Sequence, residues 1–258
     1  MYNMTWQEIN RKRLPFIRLG ERLFRGVYSE VRRDLIASFQ NLTTPEEFIQ
    51  KAAQLNISEE SFLIAYQRLY LKTGIAFAKN KRKSLHRDLE IKQGDEDIWY
   101  NKIVEYVRQY SGIKISNITA THYRDIERIT RKAVETGVNE GWGMEKIARS
   151  IQKEVADMDL WKAMRIARTE VIAASNEGVK IGADDLPGNK EKIWISTFDD
   201  RSRPDHMAMD GVRVPYGENF TLPSGVQLEY PGDQKVNAPE ETINCRCGYE
   251  IIVSSETY

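Results

Sequence analysis

Leu186-Pro187-Gly188-Asn189-Lys190-Glu191-Lys192-Ile193-Trp194-Ile195-Ser196-Thr197 marks a change of texture in this chain. The first four residues are turn chemistry. The stretch from Lys192 to Thr197, centred on Ile193-Trp194-Ile195, is a strand candidate. Six of the eight prolines follow residue 185, with Gly217, Gly225 and Gly232 spaced between shorter strand candidates at Val212–Val214 and Ile251–Val253. This part reads as a compact, loop-rich β module.

Before it, the sequence reads as helix after helix. Thr5-Trp6-Gln7-Glu8 has capping-box spacing. From Glu21 to Gln40, Leu23, Val27, Val31, Leu35 and Phe39 recur every four residues, forming one apolar stripe. Thr44-Pro45-Glu46-Glu47 starts a second helix, with a hydroxyl cap, proline at the first helical position and acids facing the dipole. Ser58 opens a third through Phe62, Ala65 and Leu69 to Phe77, which Lys79-Asn80-Lys81-Arg82-Lys83 is expected to end or interrupt. Gly94-Asp95-Glu96 separates it from helices over 97–111 and 119–138. Gly141-Trp142-Gly143 breaks the chain again, and helices over 144–155 and 160–183 follow. The fold class is α+β: a long, mainly α-helical N-terminal region followed by a small loop-rich, β-containing C-terminal module.

Composition narrows the function. The chain has 258 residues, 38 Lys/Arg and 38 Asp/Glu. Residues 1–100 carry 17 basic against 13 acidic groups, and residues 190–258 carry 7 against 12. These figures leave only local patches to touch a polyanion. No apolar run approaches the roughly 20 residues of a membrane span, and no apolar segment follows the basic N-terminus as a secretory signal would require. Cys245 and Cys247 are the only cysteines. Residues this close in an extended segment are expected to diverge or to close a strained ring, so no disulfide is expected and a reducing compartment fits.

Three segments carry the chemistry. In the last helix Leu160, Met164, Ala167, Val171 and Ala174 form a narrow packing seam. Arg165, Arg168, Ile172 and Asn176 lie on the neighbouring stripe, so Arg168 and Asn176 are expected to reach one surface. The second segment runs from Trp194 through Asp199, Arg201, Arg203 and His206 to Gly211. The third is Asn244-Cys245-Arg246-Cys247. His206, Cys245 and Cys247 offer three metal ligands, with Asp199, Asp205 or Asp210 as a fourth; zinc accepts such mixed sets. The competing reading packs two apolar thiols in the core with His206 hydrogen-bonded in a turn. A paired-histidine nuclease would want a second histidine nearby, whereas His86 and His122 lie far back in the helical part. A cysteine nucleophile with His206 as base is the other catalytic option. Lys79, Lys81, Arg82, Lys83 and Arg87 make the densest basic patch and Arg11, Lys12 and Arg13 a second. Such patches are solvated helix faces or sequence-blind phosphate contacts.

Taken in order, Arg165 to Gly178, with Arg168-Thr169-Glu170 and Asn176 within it, then Trp194 to Gly211, Pro231-Gly232-Asp233 and Asn244 to Cys247, resemble the phage Mu protein F-like domain of minor head proteins. The resemblance covers about residues 120–253. It divides the chain into a helical region, 1–118, facing portal or capsid, and a Mu F-like domain, 119–258, with helices over 119–185 and the β module over 190–258. It implies a non-enzymatic head morphogenesis part at the portal vertex, assisting procapsid assembly and DNA packaging or delivery. The implied partners are portal, major capsid or scaffold protein and packaged DNA, with no membrane and no cofactor beyond a zinc ion. The place implied is the virion, reached from the host cytoplasm. Carried over by position, the scaffold residues are Arg168, Glu170, Asn176, Asp199, Arg201, Arg203, His206, Gly211, Asn244, Cys245 and Cys247. Several family members are longer, which implies a shortened portal-facing part here. Some relatives fuse the domain to a toxin; with five residues after Val253, none is expected here. The rival readings are a metal-dependent nuclease-like enzyme and an ADP-ribosyltransferase-type effector.

Overall fold

A computed structural model describes residues 5–85 and 91–253. It contains α1 (Trp6–Ser38), α2 (Pro45–Ala53), α3 (Glu59–Leu85), α4 (Gln93–Tyr110), α5 (Gly112–Asn139) and α6 (Met144–Ala183). After them come β1 (Lys190–Ile195), α7 (Pro204–Ala208), β2 (Arg213–Pro215), β3 (Phe220–Thr221), β4 (Gln227–Leu228), α8 (Pro239–Thr242) and β5 (Gly248–Val253). The chain is α+β, with helices dominating its first three quarters and short antiparallel strands its last.

The starts of α1 and α2 follow their sequence signals. Thr5 N donates to Glu8 Oε2 at 2.8 Å while Glu8 N returns a bond to Thr5 Oγ1 at 3.3 Å. Thr44 N donates to Glu47 Oε2 at 3.0 Å. Each reciprocal pair satisfies donors that a helix end otherwise leaves open. Pro15 lies inside α1, where it removes one backbone bond without ending the helix.

Four boundaries differ from expectation. α3 continues through Lys79–Lys83, because Lys81 and Arg82 are themselves buried and paired and so do not terminate the helix in solvent. α4 starts at Gln93 and so takes in Gly94-Asp95-Glu96, read as a separator, with both acids in its first turn. Residues 112–118 are helical, leaving Ser111 alone between α4 and α5. α6 is one 40-residue helix with no break near residue 156.

The molecule resolves into two compact units that do not follow a boundary at residue 118. One gathers the described residues of Met1–Gly20, Tyr66–Tyr110 and Ala167–Tyr258; the other gathers Glu21–Ala65 and Ser111–Ile166. In the second, Val31, Leu35 and Phe39 of α1 share a core with Phe48 of α2, Ile126 and Ile129 of α5, and Ile147 and Ile151 of α6. The predicted α1 stripe is therefore buried from Val27 to Phe39, and only Leu23 is half-exposed. A polar knot lies in the same unit. His122 is fully buried with neither ring nitrogen hydrogen-bonded, 4.5 Å from the Tyr28 ring and 3.6 Å from Asp159. Asp159 accepts from Arg32 Nη1 at 2.8 Å, and Lys162 pairs with Asp125 at 2.7 Å.

In the other unit, β1 is the centre of a three-stranded antiparallel sheet in the order β2-β1-β5. Ile193 pairs with Arg213 on one side and Glu250 on the other, and Trp194 faces Tyr249. A small β3–β4 hairpin adds a second sheet, with Gly225 at φ +84° closing its turn. Its strands are too short to stand out in the sequence. Residues 169–178 of α6 are buried on every face, so the narrow seam expected there is instead a helix buried all round. Leu160, the first member of that seam, is exposed. Here α6 meets α3 backbone to backbone. A Cβ on Gly178 would lie 2.4 Å from Gly74 O, and one on Gly182 would lie 2.4 Å from Ala78 O.

Candidate functional site

β1 delivers the chain to a charged turn that ends on α7, which carries His206, while the last turn before β5 carries Cys245 and Cys247. Asn244 initiates that turn at φ +56°, a left-handed conformation that asparagine tolerates better than most residues. Its backbone N–H donates to Thr169 Oγ1 of α6 at 3.1 Å. From there the chain is extended and side chains alternate. Cys245 and Cys247 point to one side, where they meet His206. Arg246 points to the other, where its guanidinium grips both carboxylate oxygens of Asp199. The expectation that the two thiols diverge is thus corrected: residues two apart in an extended segment share a face. Both cysteines are free thiols.

His206 Nδ1 lies 3.6 Å from Cys245 Sγ and 3.6 Å from Cys247 Sγ. The ligand atoms of the three residues lie within 4.8 Å of one another. On the far side of the ring, His206 Nε2 meets Glu241 Oε2 at 2.9 Å, and Glu241 Oε1 accepts from Ser224 Oγ at 3.0 Å. The Trp194 ring stands edge-on to the imidazole at 5.4 Å, and Ser196 Oγ lies 3.6 Å from Cys247 Sγ. Cys245, Cys247 and His206 are all at most 3% exposed, within a cluster that includes Trp194, Met209, Phe220 and Leu228. The Cys245 hydrogen bond, followed by contact with His206, makes Cys247 the more acidic thiol, and the same pairing together with burial pushes Cys245 up.

Of the aspartates read as a fourth ligand, Asp199 is taken by Arg246 and Asp210 Oδ1 accepts from Ser196 N at 2.7 Å. Among the described residues neither these nor Asp205 joins the triplet. A hollow of about 300 Å³ lies beside it, lined by Thr5, Trp6 and Gln7 and by residues 195–199 and 210. The thiols do not line it.

A second convergence holds the module to the helices of its own unit. Asn176 Nδ2 donates to Pro231 O at 2.6 Å, and its Oδ1 accepts from Arg13 Nη2 at 2.6 Å. Arg13 also donates to Ser175 Oγ at 2.7 Å and, through Nη1, to Arg246 O and Cys247 O, both at 3.2 Å. This guanidinium is 2% exposed and burial pulls it down to about 10. Glu170 accepts from Tyr70 at 2.6 Å, Arg203 donates to Ile243 O at 2.8 Å, and Gly211, at φ +76°, donates to Trp194 O at 2.9 Å. Arg201 is exposed beside Asp199. Arg168 is also exposed, so it does not share a surface with Asn176; its neighbour Thr169 makes the contact instead.

Sequence reasoning missed Arg13, read only as part of a basic patch, and Glu241, legible only as an acid in the first turn of α8. The main basic patch also needs correction. Lys81 is buried, pairing with Glu250 and donating to Ile251 O at 2.7 Å. Arg82 is buried against Asp185, and Lys79 pairs with Glu96 at 2.6 Å. Lys83 remains exposed. Arg87, like His86, lies outside the described residues.

The family described as "Phage Mu protein F like protein" matches residues 128–250, which take in α6, β1, the His206 loop and the thiol pair. Over those residues the chain matches the phage Mu protein F-like family. That family is one of phage head morphogenesis. Two curated relatives share stretches with the Mu F-like chain. It is 33% identical over 130 residues to the NAD(+)--arginine ADP-ribosyltransferase EFV of Enterococcus faecalis (strain ATCC 700802 / V583), covering 48% of this chain and 26% of that one. It is 24% identical over 159 residues to the uncharacterized protein YqbB of Bacillus subtilis (strain 168), covering 60% of this chain and 50% of that one. The Mu F-like chain thus spans a quarter to a half of the length of these relatives. No solved structure matches it. Among the described residues no helix is long and apolar enough to cross a membrane.

Proposed function

We propose that this chain is a minor head protein of a tailed phage or prophage, a non-enzymatic part that docks at the portal vertex and assists procapsid assembly and DNA packaging or delivery. The family match over residues 128–250 carries the reading. The arrangement of the family-pattern residues supports it. Asn176, Asp199, Arg203, Gly211 and Asn244 bond to Pro231, Arg246, Ile243, Trp194 and Thr169 respectively, and His206 and both thiols are buried. Groups engaged in this way fasten loops and are not free to attack a substrate. The partners in this reading are portal, capsid or scaffold protein, met through helical faces. Contact with packaged DNA would rest on Lys79 and Lys83 and not on the buried Lys81 and Arg82.

The ADP-ribosyltransferase named among the relatives motivates a second reading. The shared stretch is about a quarter of that protein, so the proposed reading is that the two share a head-assembly domain and not the transferase. Mass spectrometry of gradient-purified particles separates these readings. The chain should be present in a few copies per head, and its loss should give poorly filled or malformed heads. Purified particles lacking the chain, or transfer of ADP-ribose from NAD(+) to arginine by the purified protein, would refute the proposal.

A further inference from the structure

We propose that Cys245, Cys247 and His206 bind one zinc ion as a structural clasp, with Glu241 fixing the histidine from behind. The first support is distance. Zinc binds thiolate at about 2.3 Å and imidazole nitrogen at about 2.0–2.1 Å; at a tetrahedral angle this places sulfur and nitrogen about 3.5–3.6 Å apart. Both sulfurs stand 3.6 Å from the same nitrogen. A single Nδ1 lone pair accepts one S–H well and has no use for two sulfurs at equal distance, whereas a cation shared by all three ligands requires both.

The second support is the tautomer. Glu241 Oε2 sits 2.9 Å from Nε2, so that nitrogen carries the proton and Nδ1 presents its lone pair to the thiols. A carboxylate behind a histidine in this way is the usual outer partner of a metal-bound imidazole. Ser224 holds the other carboxylate oxygen at 3.0 Å, so the outer partner is itself oriented.

The third support is charge. Two thiolates, a neutral imidazole and Zn²⁺ sum to zero, and a neutral assembly suits residues at most 3% exposed among Trp194, Phe220 and Leu228. The soft sulfur pair selects zinc over calcium or magnesium, which take oxygen ligands. The remaining coordination position falls to water or to the Ser196 hydroxyl, 3.6 Å from Cys247 Sγ. Enclosure makes the ion a fastener between α7 and the entry to β5. This inference stands apart from the head-assembly reading, because it concerns metal content and not particles.

The test uses the full chain, purified reduced after growth with zinc and dialysed free of loose metal. Elemental analysis should give about one zinc per chain, and cobalt(II) in its place should give thiolate-to-metal charge-transfer absorption. Cys245→Ser should lose both signals. Glu241→Gln should keep the fold and bind zinc 10- to 100-fold more weakly, as outer-partner changes do. That variant keeps the test decisive if Cys245→Ser fails to fold. Zinc in the wild type no higher than in His206→Asn, cobalt binding without thiolate absorption, unchanged affinity in Glu241→Gln, or a Cys245–Cys247 disulfide in metal-free native protein would each overturn the clasp.

Discussion

Alanine at Gly178 should destabilise this protein, although the same replacement at Gly26 should stabilise it. An added Cβ would lie 2.4 Å from the carbonyl oxygen of Gly74 and 2.9 Å from its Cα. The obstacle is backbone, which no rotamer change relieves. Ordinary contact begins near 3.4 Å, so α3 and α6 would have to part by about 1 Å along a crossing buried on both sides. Overpacking of this kind costs about 1–3 kcal/mol, occasionally more. Against it stands the intrinsic helix preference for alanine over glycine, up to about 1 kcal/mol. The expected net loss is about 1–2 kcal/mol, a drop in Tm of several degrees for a chain of this size. Gly26, an exposed residue within α1, is the internal control. Nothing lies within 4 Å of its added Cβ, so Gly26→Ala should gain up to about 1 kcal/mol. Urea unfolding followed by far-UV circular dichroism measures both. If Gly178→Ala proves as stable as wild type, or shifts in the same direction as Gly26→Ala, the close backbone approach of α3 and α6 is wrong.

Arg13→Met should cost about 3 kcal/mol or more, because it strips donors from the buried Asn176 Oδ1, Ser175 Oγ and Cys247 O at once; a change within 0.5 kcal/mol in urea melts would deny the junction its importance. Lys81→Met leaves the Glu250 carboxylate buried and unpaired, and should lower stability by about 3–5 kcal/mol. An unaltered urea midpoint for Lys81→Met would place that lysine in solvent and revive the basic patch. Burial, followed by the neighbouring Lys162, pulls the His122 imidazole down to about 3. Its neutral form is therefore favoured in the folded chain, a contribution fully present above about pH 6.5 and lost as pH falls toward 3. Measured against His122→Gln, wild type should lose roughly 1.4 kcal/mol per pH unit across that window. Burial raises Asp159 to about 7, a slope of opposite sign that is present in both proteins. A pH-independent difference would count against burial of the neutral ring.

Much of this architecture was legible beforehand because its signals are local. The Thr5–Glu8 and Thr44–Glu47 caps, the four-residue stripe of α1 and the change to turns at Leu186 depend on neighbours in sequence. So did the three metal-ligand types, although not their meeting place. What escaped reading depends on long-range partners. Lys81 reads as a surface cation until Glu250, 169 residues later, is placed beside it. Arg13 meets its acceptors 162 to 234 residues away. Gly178 and Gly182 look like weak points in a helix until Gly74 and Ala78 arrive opposite them. The interleaved composition of the two units has the same origin, since long helices pass from one to the other without any break in pattern.

The alternation in Asn244-Cys245-Arg246-Cys247 makes this tetrapeptide sensitive to frame more than to identity. Inserting or deleting a single residue between Asn244 and Gly248 would exchange the inward and outward positions, turning a guanidinium into the space of two sulfurs and the sulfurs toward Asp199. Natural variants of such chains should therefore lengthen or shorten their surface turns freely while keeping the count of residues from this bend to the final strand unchanged.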